Sequence, residues 1–185
     1  AWLAALENTK GPSALALTRQ DVPNLKVPRG SVRRGGYVLA EAEHELELVL
    51  IASGSEVHVC MEVRERLEAA GVGTRVVSMP SVELFERQSA AYRARVLPPE
   101  LRRRVALEAG ATLGWYKYVG LEGLVIGIDH FGASAEGEEL LERFGLSSGP
   151  VMRAVKRYIK NRPRQPPGEP RRKQVGGGDG KEGKA

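Results

Sequence analysis

The chain has 185 residues, 42% of them hydrophobic, which is enough for one sizeable core and part of a second. Its formal net charge of +5 is concentrated at one end: residues 163–185 hold six cations against three anions, so the remainder is close to neutral and charge gives no reason to expect a nucleic-acid partner. The single cysteine, Cys60, excludes an internal disulfide framework and agrees with a reducing, cytoplasmic setting, and no apolar run reaches the ~18 residues that a membrane-spanning helix needs.

Residues 1–8 (AWLAALEN) have a helical pattern. The chain opens at Ala1 inside that pattern, with neither an initiator Met nor a secretion signal, so a fragment or a processed piece is expected. Gly11-Pro12 breaks the helix, and the run Ala14, Leu15, Ala16, Leu17 within 13–18 reads as a buried strand. No strand precedes it in this sequence. The helix and strand are therefore expected to complete a sheet belonging to an upstream domain. Residues 20–34, with Pro23, Pro28 and Gly30 and no period, have the composition of a linker.

From about Gly35 the pattern alternates. Residues 37–41 (YVLAE) read as a first strand. Residues 45–79 then form one β-α-β unit: a near-continuous apolar run through Leu48, Val49, Leu50 and Ile51, the turn Ser53-Gly54-Ser55, an amphipathic helix and a β-branched strand over 74–79. On the helix Val59, Cys60, Val63, Leu67 and Ala70 share one side, and His58 is placed on the opposite, solvent side. Ser81 is a candidate N-cap for a helix over 82–88, and Pro98-Pro99 interrupts the segment after it. Residues 104–109 and 124–129 are expected as the fourth and fifth strands. Ser134 is read as the cap of a helix through Phe144 stopped by Gly145, and Ser148 with Pro150 as the start of a last helix to about Asn161. The Pro- and Gly-rich basic stretch 163–185 is expected to be disordered. Together these give a doubly wound, mostly parallel five-stranded α/β domain, preceded by a partial helix and strand.

In such a sheet the default ligand position is the crevice at the strand C-terminal ends. Ser53-Gly54-Ser55 sits there and has free amides for an anion, but Glu56 puts negative charge in the first helical turn and no Gly-rich fingerprint is present, so a plain turn is the favoured reading. Asp129-His130 pairs a carboxylate with an imidazole at the end of the fifth strand. No Ser, Cys or metal-ligand partner is spaced near it, which favours a structural or interface histidine. His44 is read as solvated, and the group Trp115, Tyr116, Tyr118 as stacked on a ring or, more commonly, buried between domains. There is no CxxC, HExxH, GxSxG or P-loop. Arg19 stands at the end of the 13–18 run, where α/β folds present charged side chains to ligands. The residues leave it balanced between a phosphate contact and a strand-end ion pair.

Five segments in order, GPSALALTRQDVPNL, GGYVLAE, LVLIASGSEVHVC, VVSMPSVELFERQ and IDHFGASAEGEELLERFGLS, together resemble the C-terminal part of transketolases over residues 1–162. The resemblance implies that 1–27 are the end of the pyrimidine-binding domain and a linker, 28–162 the C-terminal domain, and 163–185 a tail outside the usual family ending. It implies transfer of a two-carbon ketol unit between sugar phosphates by the whole enzyme, a homodimer, with thiamine diphosphate and Mg2+ or Ca2+ held by stretches upstream of this chain. Arg19 then matches the arginine that contacts the substrate phosphate. No catalytic, cofactor-binding or metal-binding residue is expected within the chain, and the fragment alone is expected to be inactive and to serve subunit packing. His130 and the 132–135 turn would face a domain or dimer boundary. Two alternatives are a free-standing docking subunit of a split thiamine enzyme, and another thiamine enzyme such as a deoxyxylulose phosphate synthase or the β subunit of a 2-oxo acid dehydrogenase. The LTRQ segment containing Arg19 argues against these other thiamine enzymes.

Overall fold

In the computed structural model, residues 1–18, 21–27 and 30–162 are described. Five strands, β1 (Tyr37–Ala40), β2 (Leu46–Ala52), β3 (Gly73–Ser78), β4 (Arg104–Leu107) and β5 (Leu124–Ile126), form one sheet in the order β1-β3-β2-β4-β5. β3, β2, β4 and β5 are mutually parallel, and β1 runs antiparallel to β3 with a bulge between Val38 and Ala40. This is the expected five-stranded, mostly parallel α/β sheet.

β2 lies at its centre, and its side chains feed two cores by simple alternation. Leu48, Leu50 and Ala52 point into one cluster with Val76, Val105 and Leu107, covered by α2 (Glu56–Glu68) through Val59, Cys60, Val63 and Leu67 and by α7 (Ser148–Asn161) through Val151, Met152 and Val155. Val49 and Ile51 point into the other with Val77, Met79 and Ala106. Its cover comes from Phe85 of α3 (Val82–Glu86), Val96 of α4 (Ala90–Val96), and Tyr118 and Val119 of α5 (Tyr116–Val119). Trp115 and Tyr118 are thus buried within this domain's own second core, not between domains, while Tyr116 faces outward.

The punctuation follows the chain's caps. Ser81 Oγ accepts from the Leu84 amide at 3.2 Å, as the sequence predicts, and Ser89 Oγ accepts from the Tyr92 amide at 3.2 Å to start α4, a second cap of the same kind. Gly145 takes φ +75° after α6 (Gly137–Arg143), and the Leu146 amide reaches back to the Leu141 carbonyl at 2.7 Å, closing the helix. Ser134 does not cap α6: Glu136 is extended and the helix begins three residues beyond Ser134.

The other departure is at the N-terminus. α1 (Trp2–Glu7) forms, but 13–18 is not a buried strand. It pairs with none of the five strands, its residues are exposed, and Leu17 keeps 78% of its surface. An extended apolar run becomes a strand only where a neighbouring strand lies alongside it, and none of the five strands does so here. α1 buries no residue, and its Glu7 carboxylate pairs with Arg33 in an exposed contact worth at most about 1 kcal/mol.

Two sites hold the connection between β1 and the rest. Gly35 has φ +77°, and a Cβ there would lie 2.2 Å from the Phe85 amide nitrogen and 2.3 Å from the Ser81 carbonyl oxygen. The loop between β1 and β2 is held by charges. The buried Glu68 carboxylate accepts from the Thr74 amide at 2.6 Å, the Glu43 amide at 3.2 Å and His44 Nδ1 at 2.7 Å, so His44 is paired rather than simply solvated. Beside it Arg64 donates to the Glu41 and Thr74 carbonyls, and Arg75 holds the Glu41 carboxylate through two bonds of 2.7 and 2.9 Å.

Gly35→Ala combines a left-handed backbone with a main-chain clash and is expected to cost at least about 2 kcal/mol, measured as a lowered denaturant midpoint. Burial alone raises the affinity of Glu68 for a proton, but the Thr74 amide, His44, the Glu43 amide and the Arg64 charge outweigh it and hold the group below its ordinary 4.5. Its contribution to stability is therefore complete above that value and is lost as pH falls through the lower folded value. Glu68→Gln should cost about 1–3 kcal/mol at neutral pH and flatten the acid limb of the stability curve, followed by unfolding at several pH values.

Candidate functional site

In this sheet the chain leaves β2 toward β3 on one side and returns to β4 on the other, so the topological switch point lies between the C-terminal ends of β2 and β4. There the turn Ser53-Gly54-Ser55 faces Glu108 at the end of β4. Ser53 Oγ donates to Glu108 Oε2 at 2.8 Å, and Ser55 Oγ donates to Glu56 Oε1 at 2.8 Å. Glu56 is buried. Burial pushes the Glu108 carboxyl above its ordinary value; the Ser53 hydroxyl opposes this and the Glu56 charge adds to it. The crevice is thus bridged by the protein's own side chains and lined with carboxylates. A diphosphate would meet like charge there, and among the described residues no group of three or more His, Cys, Asp or Glu is placed to hold a metal ion. The residues of this crevice do not fit a diphosphate with its metal.

The Asp129-His130 turn resolves into two separate tasks. Asp129 accepts from the Thr112 amide and from Thr112 Oγ1, both at 2.8 Å, and these bonds hold its carboxyl below the usual range. His130 Nδ1 is 2.8 Å from the Phe131 carbonyl, and its ring meets Phe144 edge-on with centroids 5.1 Å apart. The carboxylate therefore ties the loop after β4 to the loop after β5 and does not orient the imidazole. Next to this tie Leu113 and Phe131 are exposed by 83% and 99%. Nothing in the sequence marks that apolar pair, because a lone Phe in FGASA carries no period.

Cys60 is buried in the first core, and burial pushes its thiol far up, leaving it inert. His58 departs from its expected place on the wet side of α2. It is half-buried, and its Nδ1 is shielded with no hydrogen-bond partner among the described residues, since α2 packs on both the sheet and α7. The run Arg102-Arg103-Arg104 resembles a basic patch in the sequence but is spent internally. Arg104 donates to the Leu101, Tyr118, Leu97 and Pro98 carbonyls, Arg103 pairs with Glu47 at 2.9 Å, and Arg102 lies 3.9 Å from Glu122. Arg19, the one sequence-derived candidate for a substrate contact, lies outside the described residues, as does the tail 163–185.

Comparison with known proteins agrees over nearly the whole described chain. The family model for a transketolase-like TK C-terminal domain matches residues 35–147. A transketolase of Staphylococcus epidermidis is 44% identical over 160 residues, covering 84% of this chain and 24% of the relative, and one of Aquifex aeolicus is 48% identical over 160 residues, covering 84% and 23%. Among solved structures, a transketolase from Leishmania mexicana superposes with a TM-score of 0.80 at 35% identity, covering 88% of this chain and 24% of that one. The chain spans about a quarter of the length of the curated relatives it matches. It belongs to the transketolase family, with residues 35–147 as its transketolase-like C-terminal domain.

Proposed function

We propose that this chain is the C-terminal part of a transketolase that moves a two-carbon ketol unit from a ketose phosphate to an aldose phosphate. The observation that carries this reading is the joint match in sequence and shape, 35% identity at a TM-score of 0.80 to a transketolase. Residues 1–27 then belong to the end of the pyrimidine-binding domain and its linker, 28–162 form the C-terminal domain, and 163–185 are an appended tail. Thiamine diphosphate and a divalent cation, Mg2+ or Ca2+, supply the carbanion chemistry in the whole enzyme. They are held by regions this chain does not include, in keeping with the carboxylate-lined switch point described above. The setting of the whole enzyme is cytoplasmic.

Within this reading the chain contributes two things. The exposed apolar residues of the N-terminal segment, Trp2, Leu3, Leu6 and Leu17, pack against the rest of the pyrimidine-binding domain, and the loop carrying His130 and Phe131 lies at a domain or homodimer boundary. Arg19 holds the phosphate of the sugar substrate through its planar guanidinium.

With thiamine diphosphate, Mg2+ and a ketose-aldose phosphate pair, the chain alone should give no turnover above background in a coupled assay. Fused to the upstream three-quarters of one of the relatives, it should give activity, and turnover by the chain alone would overturn the division of labour. In that fused enzyme Arg19→Ala should raise KM for phosphorylated substrates by roughly 10–100-fold with a smaller change in kcat. The difference should vanish with an acceptor that lacks a phosphate. An equal effect on both acceptors would remove Arg19 from the phosphate site.

A further inference from the structure

An open groove of about 390 Å³ lies along the bulged edge of the sheet, between the 3-10 turn Ser31–Arg34, β1 and α4. Its lining includes Arg34, Arg95, Tyr92, Ser31, and the pair Arg75 and Glu41. The last two cancel: Arg75 holds the Glu41 carboxylate in a two-bond fork and gives its remaining donors to the Arg95 and Val96 carbonyls. Arg34 and Arg95 are different. Both are exposed, and among the described residues neither guanidinium has a carboxylate or carbonyl partner. Neighbouring arginines are committed, Arg93 for example to the Glu86 and Gln88 carbonyls.

The two free cations converge on one ring. Their Cζ atoms lie 4.7 and 5.1 Å from the centroid of Tyr92, so they cannot be more than about 10 Å apart. The ring is itself fixed, because its hydroxyl donates to the Gly36 carbonyl at 2.9 Å and it forms a T-shaped pair with Phe85, centroids 6.4 Å apart. A quadrupole attracts each cation, but two like charges on one ring repel each other through the solvent, and their in-plane N–H donors have only water to bond. A tetrahedral oxyanion removes both problems, since it takes charge-assisted hydrogen bonds of about 2.8 Å from each fork and spans the gap between them.

We infer that Arg34 and Arg95, set on Tyr92, form a phosphate-binding site whose ligand is inorganic phosphate or a small phosphate monoester. The groove is wide and open, which suits a small, solvated headgroup. The site is separate from the role proposed for Arg19 and does not depend on it.

The test is a titration of the full chain with inorganic phosphate, followed by amide and arginine side-chain NMR at constant ionic strength with chloride as the balancing anion. Saturable shifts are expected at Ser31, Arg34, Tyr92 and Arg95. Arg34→Gln with Arg95→Gln should weaken the dissociation constant at least about tenfold while the remaining spectrum stays dispersed. If that double variant loses its fold, Arg95→Gln alone, on the exposed side of α4, should still weaken binding several-fold. Repeating the titration with glycerol 3-phosphate separates the two sources: tighter binding on the same residues identifies a monoester as the ligand, and equal or weaker binding identifies free phosphate. Shifts that rise linearly, that chloride reproduces, or that persist in the arginine variants would overturn the inference.

Discussion

Everything in this domain depends on β2 being apolar on both faces. Leu48, Leu50 and Ala52 on one side and Val49 and Ile51 on the other are essentially inaccessible to water, so neither layer of helices can be lost without exposing the central strand. Fully burying a Leu, Val or Ile side chain is worth about 1.5–3 kcal/mol, and one seven-residue strand supplies four of them. The parallel neighbours β3 and β4 repeat the arrangement through Val76 and Val77, and through Val105 and Ala106. The two cores are thus parts of one cooperative unit, joined through the strand they share.

A doubly wound sheet usually presents its switch point to a ligand, and here the same geometry is used differently. The Ser53–Glu108 bond bridges the ends of β2 and β4, and Glu56 supplies the negative charge that the start of α2 favours. The positive end of the helix is thereby satisfied from within. The domain keeps the architecture of a ligand-binding fold, while Arg34 and Arg95, two cations that converge on one ring, lie elsewhere, at the edge of the sheet.

The strands, α2 and α7 are legible in the sequence because each has a clear period and clear stops: Gly71 with Gly73, Pro80, Gly145 and the Ser148–Pro150 pair. The cap at Ser81 is legible for the same local reason, a hydroxyl three residues before an orphan amide. What the sequence conceals is non-local. The run 13–18 has the composition of a strand, but a strand is a relation between two segments, and none of the five strands of the sheet pairs with it. Asp129 and His130 are adjacent in sequence yet serve Thr112 and Phe144, and the Glu68–His44 contact joins residues 24 positions apart. The Arg34–Tyr92–Arg95 cluster is invisible for the same reason. The candidate substrate contact, Arg19, is legible only through family resemblance.

The antiparallel β1, with its bulge between Val38 and Ala40, also bears on association between copies. A central parallel sheet with flat, apolar margins would recruit strands from other copies of the chain. Here one margin is a four-residue strand turned the opposite way and kinked by an unpaired residue, and the other is β5, only three residues long. Neither offers a continuous row of amides and carbonyls long enough to template another strand. The sheet thus carries its own protection against edge-to-edge aggregation.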